Sequence, residues 1–253
     1  MKDGEKKVIK FMENLEYKSI ETKLDRLYSF IEMMLSWNKK FNLTSITDQD
    51  EIFVKHILDS IAVCNYINFK DKEVIDVGTG GGFPGLAIYI VNPVFKLTLL
   101  DSKRKKCNFL KLVKHELSLQ NVSVVNQRAE EIGQDELYRE NYDLCLSRAV
   151  SDISVLLELS LPLLKNNGLL ISWESNRNPD GPENIYTEKK HNNINALNIL
   201  NGEFLKNEYY GKWLREYMLI EDLGDRFYSI FEKKSTTPKK YPRKPGIPTK
   251  RPL

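Results

Sequence analysis

Eight consecutive residues, Gly78-Thr79-Gly80-Gly81-Gly82-Phe83-Pro84-Gly85, follow the apolar run Val74-Ile75-Asp76-Val77. Val74, Ile75 and Val77 are the β-branched residues of a buried parallel strand. The glycines permit positive φ and a close approach of backbone to ligand before a helix begins near Pro84. A flat cofactor can lie on such bare backbone. A dinucleotide fingerprint needs a third glycine where Phe83 stands, so that match fails. About one βαβ unit later, Lys96-Leu97-Thr98-Leu99-Leu100 reads as the next strand and ends in Asp101. That carboxylate lies roughly twenty residues past the glycines, where it can accept both hydroxyls of a ribose. Two plainer readings stand beside these: the glycines as an ordinary strand-to-helix turn, and Asp101 as the cap of a helix starting between Ser102 and Arg104.

Read as Asp76-x-Gly78-x-Gly80-x-Gly82, the loop resembles the first motif of Rossmann-like methyltransferases at every fixed position, which implies S-adenosylmethionine as cofactor. Other chemistries lack their residues. After the fourth candidate strand comes Ser147-Arg148-Ala149-Val150 rather than an Asn-Pro-Pro-Tyr type motif, which disfavours transfer to an exocyclic adenine nitrogen. Cys145 lies inside a strand without a neighbouring proline and reads as a buried thiol, not a nucleophile. The three cysteines, Cys64, Cys107 and Cys145, contain no Cys-x-x-Cys, and the three histidines are scattered. Neither a disulfide framework nor a metal site is indicated. No triad or carboxylate pair stands out.

The elements that must position these residues fall into three regions. Residues 1–69 read as a helical N-terminal extension packed on the core. Leu24, Leu27, Tyr28, Ile31, Met34 and Leu35 make one apolar helix face, and Asp48 with Glu51 forms a capping box before a second helix carrying Ile52, Ile57, Leu58 and Ile61. These helices are expected to cover the sheet. Residues 70–232 alternate strands and helices as in a mostly parallel, twisted sheet. The candidate strands are Val74 to Val77, Leu97 to Leu100, Val122 to Val125, Tyr142 to Leu146 and Leu169 to Ser172. Asn176 to Gly181 reads as loop and Glu183 to Leu200 as helix. In an open parallel sheet, ligands bind beyond the carboxyl ends of the strands, which selects Gly78, Asp101, Gln127 to Glu130 and Ser147-Arg148.

Residues 233–253 form a basic tail with eight cations, no acidic residue and five of the chain's ten prolines. Because the whole chain of 253 residues carries only +3, the rest stands near −5. Such a tail is expected to be extended rather than packed. It suits either a phosphate-backbone arm or a solvated, solubilising end. The mean hydropathy of −0.43, the lack of a long apolar run and the charged start make a cytoplasmic protein with no membrane segment the expectation.

Taken together, Trp37-Asn38-Lys39-Lys40-Phe41-Asn42-Leu43-Thr44, His56-Ile57-Leu58-Asp59-Ser60, the glycine loop, Asp101-Ser102, Arg128-Ala129-Glu130, Ser147-Arg148-Ala149 and the ending from Pro238 to Lys250 resemble the bacterial small-subunit rRNA guanine-N7 methyltransferases, the RsmG or GidB family. The resemblance spans nearly the whole chain. It implies a class I methyltransferase fold and a guanosine of the 530 loop of 16S rRNA as substrate, in free rRNA or in the small subunit, with a monomer as the simpler expectation. It places Gly78, Gly80 and Phe83 on the methionine and adenosine parts of the cofactor and Asp101 on the ribose. Ala129 and Glu130 fall at the adenine, chiefly through backbone, and Arg148 at cofactor or RNA. His56, Arg148, Lys239, Lys240, Arg243 and Lys244 are the RNA candidates, and no catalytic acid or base is assigned. One departure is Trp173-Glu174-Ser175, where the family commonly places a Lys-Gly pair after the fifth strand.

Overall fold

The computed structural model describes residues 2–149, 151–176, 185–211, 214 and 225–253. The chain divides into two compact units, Met1–Asn126 and Gln127–Leu253.

The first unit opens with helices α1 (Asp3–Asn14) and α2 (Ile20–Phe41). A short α3 (Gln49–Ile52) then runs through a π-helical turn, Phe53–Leu58, into α4 (Asp59–Ile61) and a 3-10 turn, Ala62–Asn65. The π turn interrupts the single helix expected there. Its wider pitch accommodates one extra residue and keeps Ile52, Phe53, Ile57, Leu58 and Ile61 all inside. Asp48 caps the start as expected, accepting the Glu51 N–H at 2.9 Å. Strand β1 (Glu73–Val77), α5 (Gly85–Val91), β2 (Lys96–Leu100), α6 (Arg104–Glu116) and β3 (Val122–Val125) follow. β2 pairs in parallel with β1 on one side and β3 on the other. Every residue of α5 is buried, as a helix covered on both sides must be.

Leu24, Leu27, Ile31 and Met34 of α2 are buried as their spacing requires, joined by Phe30. This helix packs on α5 and α6 rather than directly over the strands. Its aromatic residues make that contact: Phe30 and Trp37 lie 6.2 and 5.9 Å from Phe109 of α6, centroid to centroid.

The second unit holds α7 (Ala129–Ile132), β4 (Tyr142–Arg148), α8 (Ile153–Ser160), a 3-10 turn (Leu161–Leu163), β5 (Leu164–Asn176), α9 (Ile185–Leu200), β6 (Gly202–Tyr209), β7 (Asp225–Lys233) and α10 (Ile247–Lys250). β4 and β5 are parallel, whereas β5–β7 and β7–β6 are antiparallel. Across both units the parallel pairings outnumber the antiparallel ones, so the architecture is the mixed, mostly parallel α/β type. The five expected strands all form. β6 and β7 escaped the sequence reading because β6 exposes Phe204, Leu205 and Tyr209 and carries charges between them, so no alternation marks a buried face. Asn176 closes β5 instead of opening a loop. The rest of the expected loop, together with Glu183 and Asn184, lies outside the described residues. No described helix is long and apolar enough to cross a membrane.

The tail is packed, contrary to expectation, because polar and charged side chains of the second unit satisfy its backbone. Lys233 ends β7 with its ammonium fully buried, bonded to Glu140 Oε1 at 2.6 Å and the Leu164 carbonyl at 2.8 Å; burial holds its pKa below the ordinary lysine value while Glu140 pulls it back up. Arg139 donates to the carbonyls of Gly133, Tyr241 and Thr237 at 2.6, 2.7 and 2.7 Å. Glu140 also accepts the Thr237 N–H, and Gln134 donates to the Pro242 carbonyl at 2.8 Å. Glu158, with no exposed side-chain area, accepts the backbone N–H and the Nε–H of Arg243, both at 2.8 Å, and an Nη2 hydrogen as well.

Proline spacing removes competing N–H donors and makes the chain extended, but buried charges decide that it docks. Replacing Arg243 by Ala leaves Glu158 as an uncompensated buried charge. We expect a loss of about 3 kcal/mol in urea unfolding, with Glu158→Gln costing less; equal, near-zero losses would show that the strap contributes nothing to the fold.

Candidate functional site

The glycine loop is built on one buried carboxylate. Asp76, with no solvent exposure, accepts the Thr79 hydroxyl at 2.7 Å and the Gly85 N–H at 2.8 Å through Oδ2. It thereby holds the two ends of the turn together. A side chain at Gly85 would place its Cβ 2.8 Å from Asp76, so that glycine is needed for close approach. The start of the loop hangs from β2: the N–H groups of Gly78 and Thr79 both donate to the Leu100 carbonyl, at 2.9 and 3.1 Å. Between these anchors Gly78, Gly80 and Gly82 all have positive φ, which only glycine adopts freely.

Gly80 and Gly82 differ in their surroundings. A Cβ on Gly82 would meet Leu86 Cδ2 at 2.9 Å and Leu110 Cδ2 at 3.2 Å, whereas at Gly80 the nearest atom is the mobile end of Lys106, 3.5 Å away. Gly82 serves packing. Gly80 leaves open space over bare backbone, as a cofactor cradle requires.

Asp101 faces this loop. Its Oδ2 accepts the Gly80 N–H at 3.1 Å and its Oδ1 the Lys103 N–H at 2.8 Å, with Lys106 Nζ 3.7 Å from Oδ2. Two oxygens offer about four acceptor positions, so two N–H bonds leave capacity for ribose hydroxyls. Asp101 is not the cap of α6, a position that Lys103 holds; its carboxylate instead turns the chain before the helix and lies beside the glycines. Asn126 Nδ2 and Cys107 Sγ bond the Asp101 carbonyl at 3.0 and 3.2 Å and fix its backbone.

Phe83 is only 6 % exposed, its ring covered by His56 (centroids 4.7 Å apart, stacked) and Phe30 (5.3 Å). His56 sits in the π turn, half-buried, with Nε2 2.8 Å from the Thr44 hydroxyl. Asp59 is buried at the start of α4. Thr44 belongs to a segment that Asn38 ties down, its Oδ1 accepting the N–H groups of Leu43 and Thr44 and its Nδ2 donating to the Thr44 carbonyl at 2.9 Å. Leu43 comes within 3.9 Å of the position a Gly81 Cβ would take. The motif from Trp37 to Thr44 thus packs against the glycine loop, a long-range relation that its spacing does not reveal.

In the second unit, Ala129 and Glu130 form the first turn of α7 and are largely buried. Glu130 Oε1 accepts the Gly246 N–H at 3.0 Å, and a side chain on Gly133 would collide with Pro242, so the tail clasps this turn. The Glu130 side chain is thereby committed to the tail. Arg148 ends β4, beside Ala149 at φ 56°. Glu174 lies in β5 and accepts the Ser172 hydroxyl at 2.7 Å.

Of the tail candidates, Lys239, Lys240 and Lys244 are exposed and form no ion pair with a described carboxylate. Arg243 must be withdrawn as a free RNA contact, because its guanidinium is committed to Glu158. Among the described residues no cluster of His, Cys, Asp and Glu could hold a metal ion. The sequence reading missed Arg139, Glu140 and Glu158. No local signal marks them, since their partners lie some 85 to 102 positions away.

Gly80→Ala, strained by its positive φ alone, should cost about 1–2 kcal/mol of stability while weakening binding of the expected cofactor tenfold or more by calorimetry. Gly82→Ala adds the clash with Leu86 and Leu110 to the same strain and should destabilise the fold by about 1–3 kcal/mol more, and equal effects of both on both measurements would refute the division of roles.

Comparison with known proteins supplies the remaining finding. Residues 23–203 match the family model GidB, rRNA small subunit methyltransferase G. The "Ribosomal RNA small subunit methyltransferase G" of Fusobacterium nucleatum is 43 % identical over 242 residues, 96 % of this chain and 97 % of that protein. The protein of the same name from Carboxydothermus hydrogenoformans is 42 % identical over 236 residues, 93 % of this chain and 94 % of the other. Among solved structures, the chain described as "StiE O-MT residues 961-1257" aligns with TM-score 0.53 at 14 % identity, over 76 % of this chain and 78 % of that one. PH0793 of Pyrococcus horikoshii aligns with TM-score 0.50 at 14 % identity, over 70 % and 63 %. These structural likenesses concern the fold.

Proposed function

The chain belongs to the GidB family, rRNA small subunit methyltransferase G, and from that membership we propose that it transfers the methyl group of S-adenosylmethionine to N7 of a guanosine in the 530 loop of 16S rRNA. The observation that carries this reading is the stapled glycine loop facing Asp101, with open space over Gly80.

The residues present fit the cofactor. Gly78 and Gly80 offer backbone to its methionine and adenosine parts, and Phe83, its ring already covered, contributes main chain. Asp101 accepts the ribose hydroxyls. Ala129 and Glu130 meet the adenine through backbone, and Arg148 meets cofactor or RNA. When bound, the cofactor's sulfonium supplies an electrophilic methyl group. Guanine N7 has a free lone pair and no proton to lose, so the protein's task is to hold the base in line and exclude water. No residue acts as general base. Loss of turnover at a single titratable residue, with cofactor and RNA binding intact, would count against that.

The functional parts in this reading are a helical extension over 1–69, a methyltransferase core over 70–232 and the basic end over 233–253. In the last, Lys239, Lys240 and Lys244 touch RNA phosphates, and Arg243 anchors them. His56, stacked on Phe83, lies where the loop meets substrate. The enzyme works in the cytoplasm as a monomer on 16S rRNA or the small subunit.

Labelled S-adenosylmethionine incubated with small subunits lacking the modification tests the function. We expect stoichiometric incorporation at one guanosine that becomes scissile after borohydride and aniline treatment, as N7-methylguanosine does. Cofactor binding without incorporation would sink the proposal.

A further inference from the structure

We propose that the end of α2 and the start of α6 form an RNA-docking surface, with Phe41 as a stacking platform for an unpaired base. The inference rests on the reading of rRNA as substrate. Lys39 and Lys40 lie in the last turn of α2, Lys103 stands at the N-cap of α6 and Arg104 and Lys105 in its first turn, with Lys111 two turns further along the Arg104 face. All six side chains are exposed, and none forms an ion pair with a described carboxylate. The charge is concentrated against the trend of the chain, whose residues before the tail stand near −5.

The placement is also unfavourable for the fold alone. A helix N-terminus carries partial positive charge and favours acidic side chains, yet the first turn of α6 has none and presents Arg104, Lys105 and Lys106. The Asp101 carboxylate just before it offsets Lys106, and anions bound beside Arg104 and Lys105 relieve the repulsion that remains.

An independent observation points to nucleic acid rather than to a simple anion. Phe41 is 37 % exposed at the tip of α2, with Lys105 Nζ 5.1 Å from its ring centroid. Behind it stands Trp37, 5.3 Å away, itself packed on Phe109. The ring is therefore backed by packed aromatic side chains and partly exposed at the surface beside a cation. Cations that track a phosphate backbone, combined with an exposed aromatic face, are how single-stranded RNA is held. The surface also begins beside the candidate cofactor site: the Lys103 N–H and the Lys106 ammonium both face the Asp101 carboxylate. A strand docked on Lys103 to Lys105 thus runs next to the group proposed to hold the ribose.

The test is the combined variant Lys39→Ala, Lys40→Ala, Arg104→Ala, Lys105→Ala, with Lys103 and Lys106 left intact, alongside Phe41→Ala and Phe41→Trp. Naked 16S rRNA and unmodified small subunits are the probes. For the fourfold variant we expect KM for subunits to rise at least tenfold, and the slope of log affinity for RNA against log salt to flatten by roughly two to three. Its S-adenosylmethionine affinity and thermal midpoint should stay unchanged. Phe41→Ala should weaken RNA binding about fivefold without changing the salt slope, and Phe41→Trp should restore it. Unchanged KM and salt slope in the fourfold variant, with the wild-type protein active, would overturn the proposal. So would a defect seen on subunits but not on naked RNA, which would assign the surface to a ribosomal protein. A wild-type protein that binds cofactor but methylates nothing would strike the functional reading instead.

Discussion

A carboxylate buried without solvent contact is costly, and Asp76 is tolerated because its Oδ2 accepts a hydroxyl and a backbone N–H across the glycine loop. Much of the first unit's candidate site depends on that bond pair. It brings Thr79 and Gly85 together, and so forces the intervening chain into a tight turn whose glycines adopt positive φ. It also fixes the first residue of α5, a helix with no exposed face. The loop's conformation is thus set from beneath, by the core, before any ligand arrives. Preorganisation of this kind is what a site needs when its chemistry consists mainly of holding two reactants in line.

The second unit solves a different problem with the same chemistry. A proline-rich segment has few N–H donors and cannot join a sheet, so its polar groups need side-chain partners. Arg139 gathers tail carbonyls while Glu130, Glu140 and Glu158 accept tail N–H groups. Three of the tail's eight cations, Lys233, Lys234 and Arg243, are consumed in ion pairs. Cations in the tail therefore divide by partner: Lys233, itself buried, and Arg243, on the buried Glu158, are structural, Lys234 pairs at the surface, and those left in solvent are available to phosphate. The same division separates Lys106, drawn to Asp101, from Lys105, which lies over Phe41.

Several features were legible without coordinates because they depend on neighbours in the chain. The β-branched run of β1, the glycine spacing, the carboxylate at the end of β2, the apolar face of α2 and the Asp48 cap all follow from local sterics and periodicity. The family motifs from Trp37 to Lys250 were equally legible as patterns. What they do physically was not: Asn38 ties down Leu43 and Thr44, Thr44 meets His56, and His56 stacks on Phe83.

By itself, then, the sequence determined the α/β alternation, the glycine turn and the family, since each is written in residue type at short separation. Only the tertiary structure decided that the helix after Asp48 passes through a π turn, that β6 and β7 extend the β4–β5 pair antiparallel, and that the basic tail is docked. It alone separated Arg243 from Lys239, Lys240 and Lys244, and singled out the cations around Phe41. The physical reason is that a charge acts through whatever lies beside it in space. Composition counts Arg243 and Lys244 alike, whereas a buried Glu158 across some 85 positions makes one a structural anchor and leaves the other to solvent.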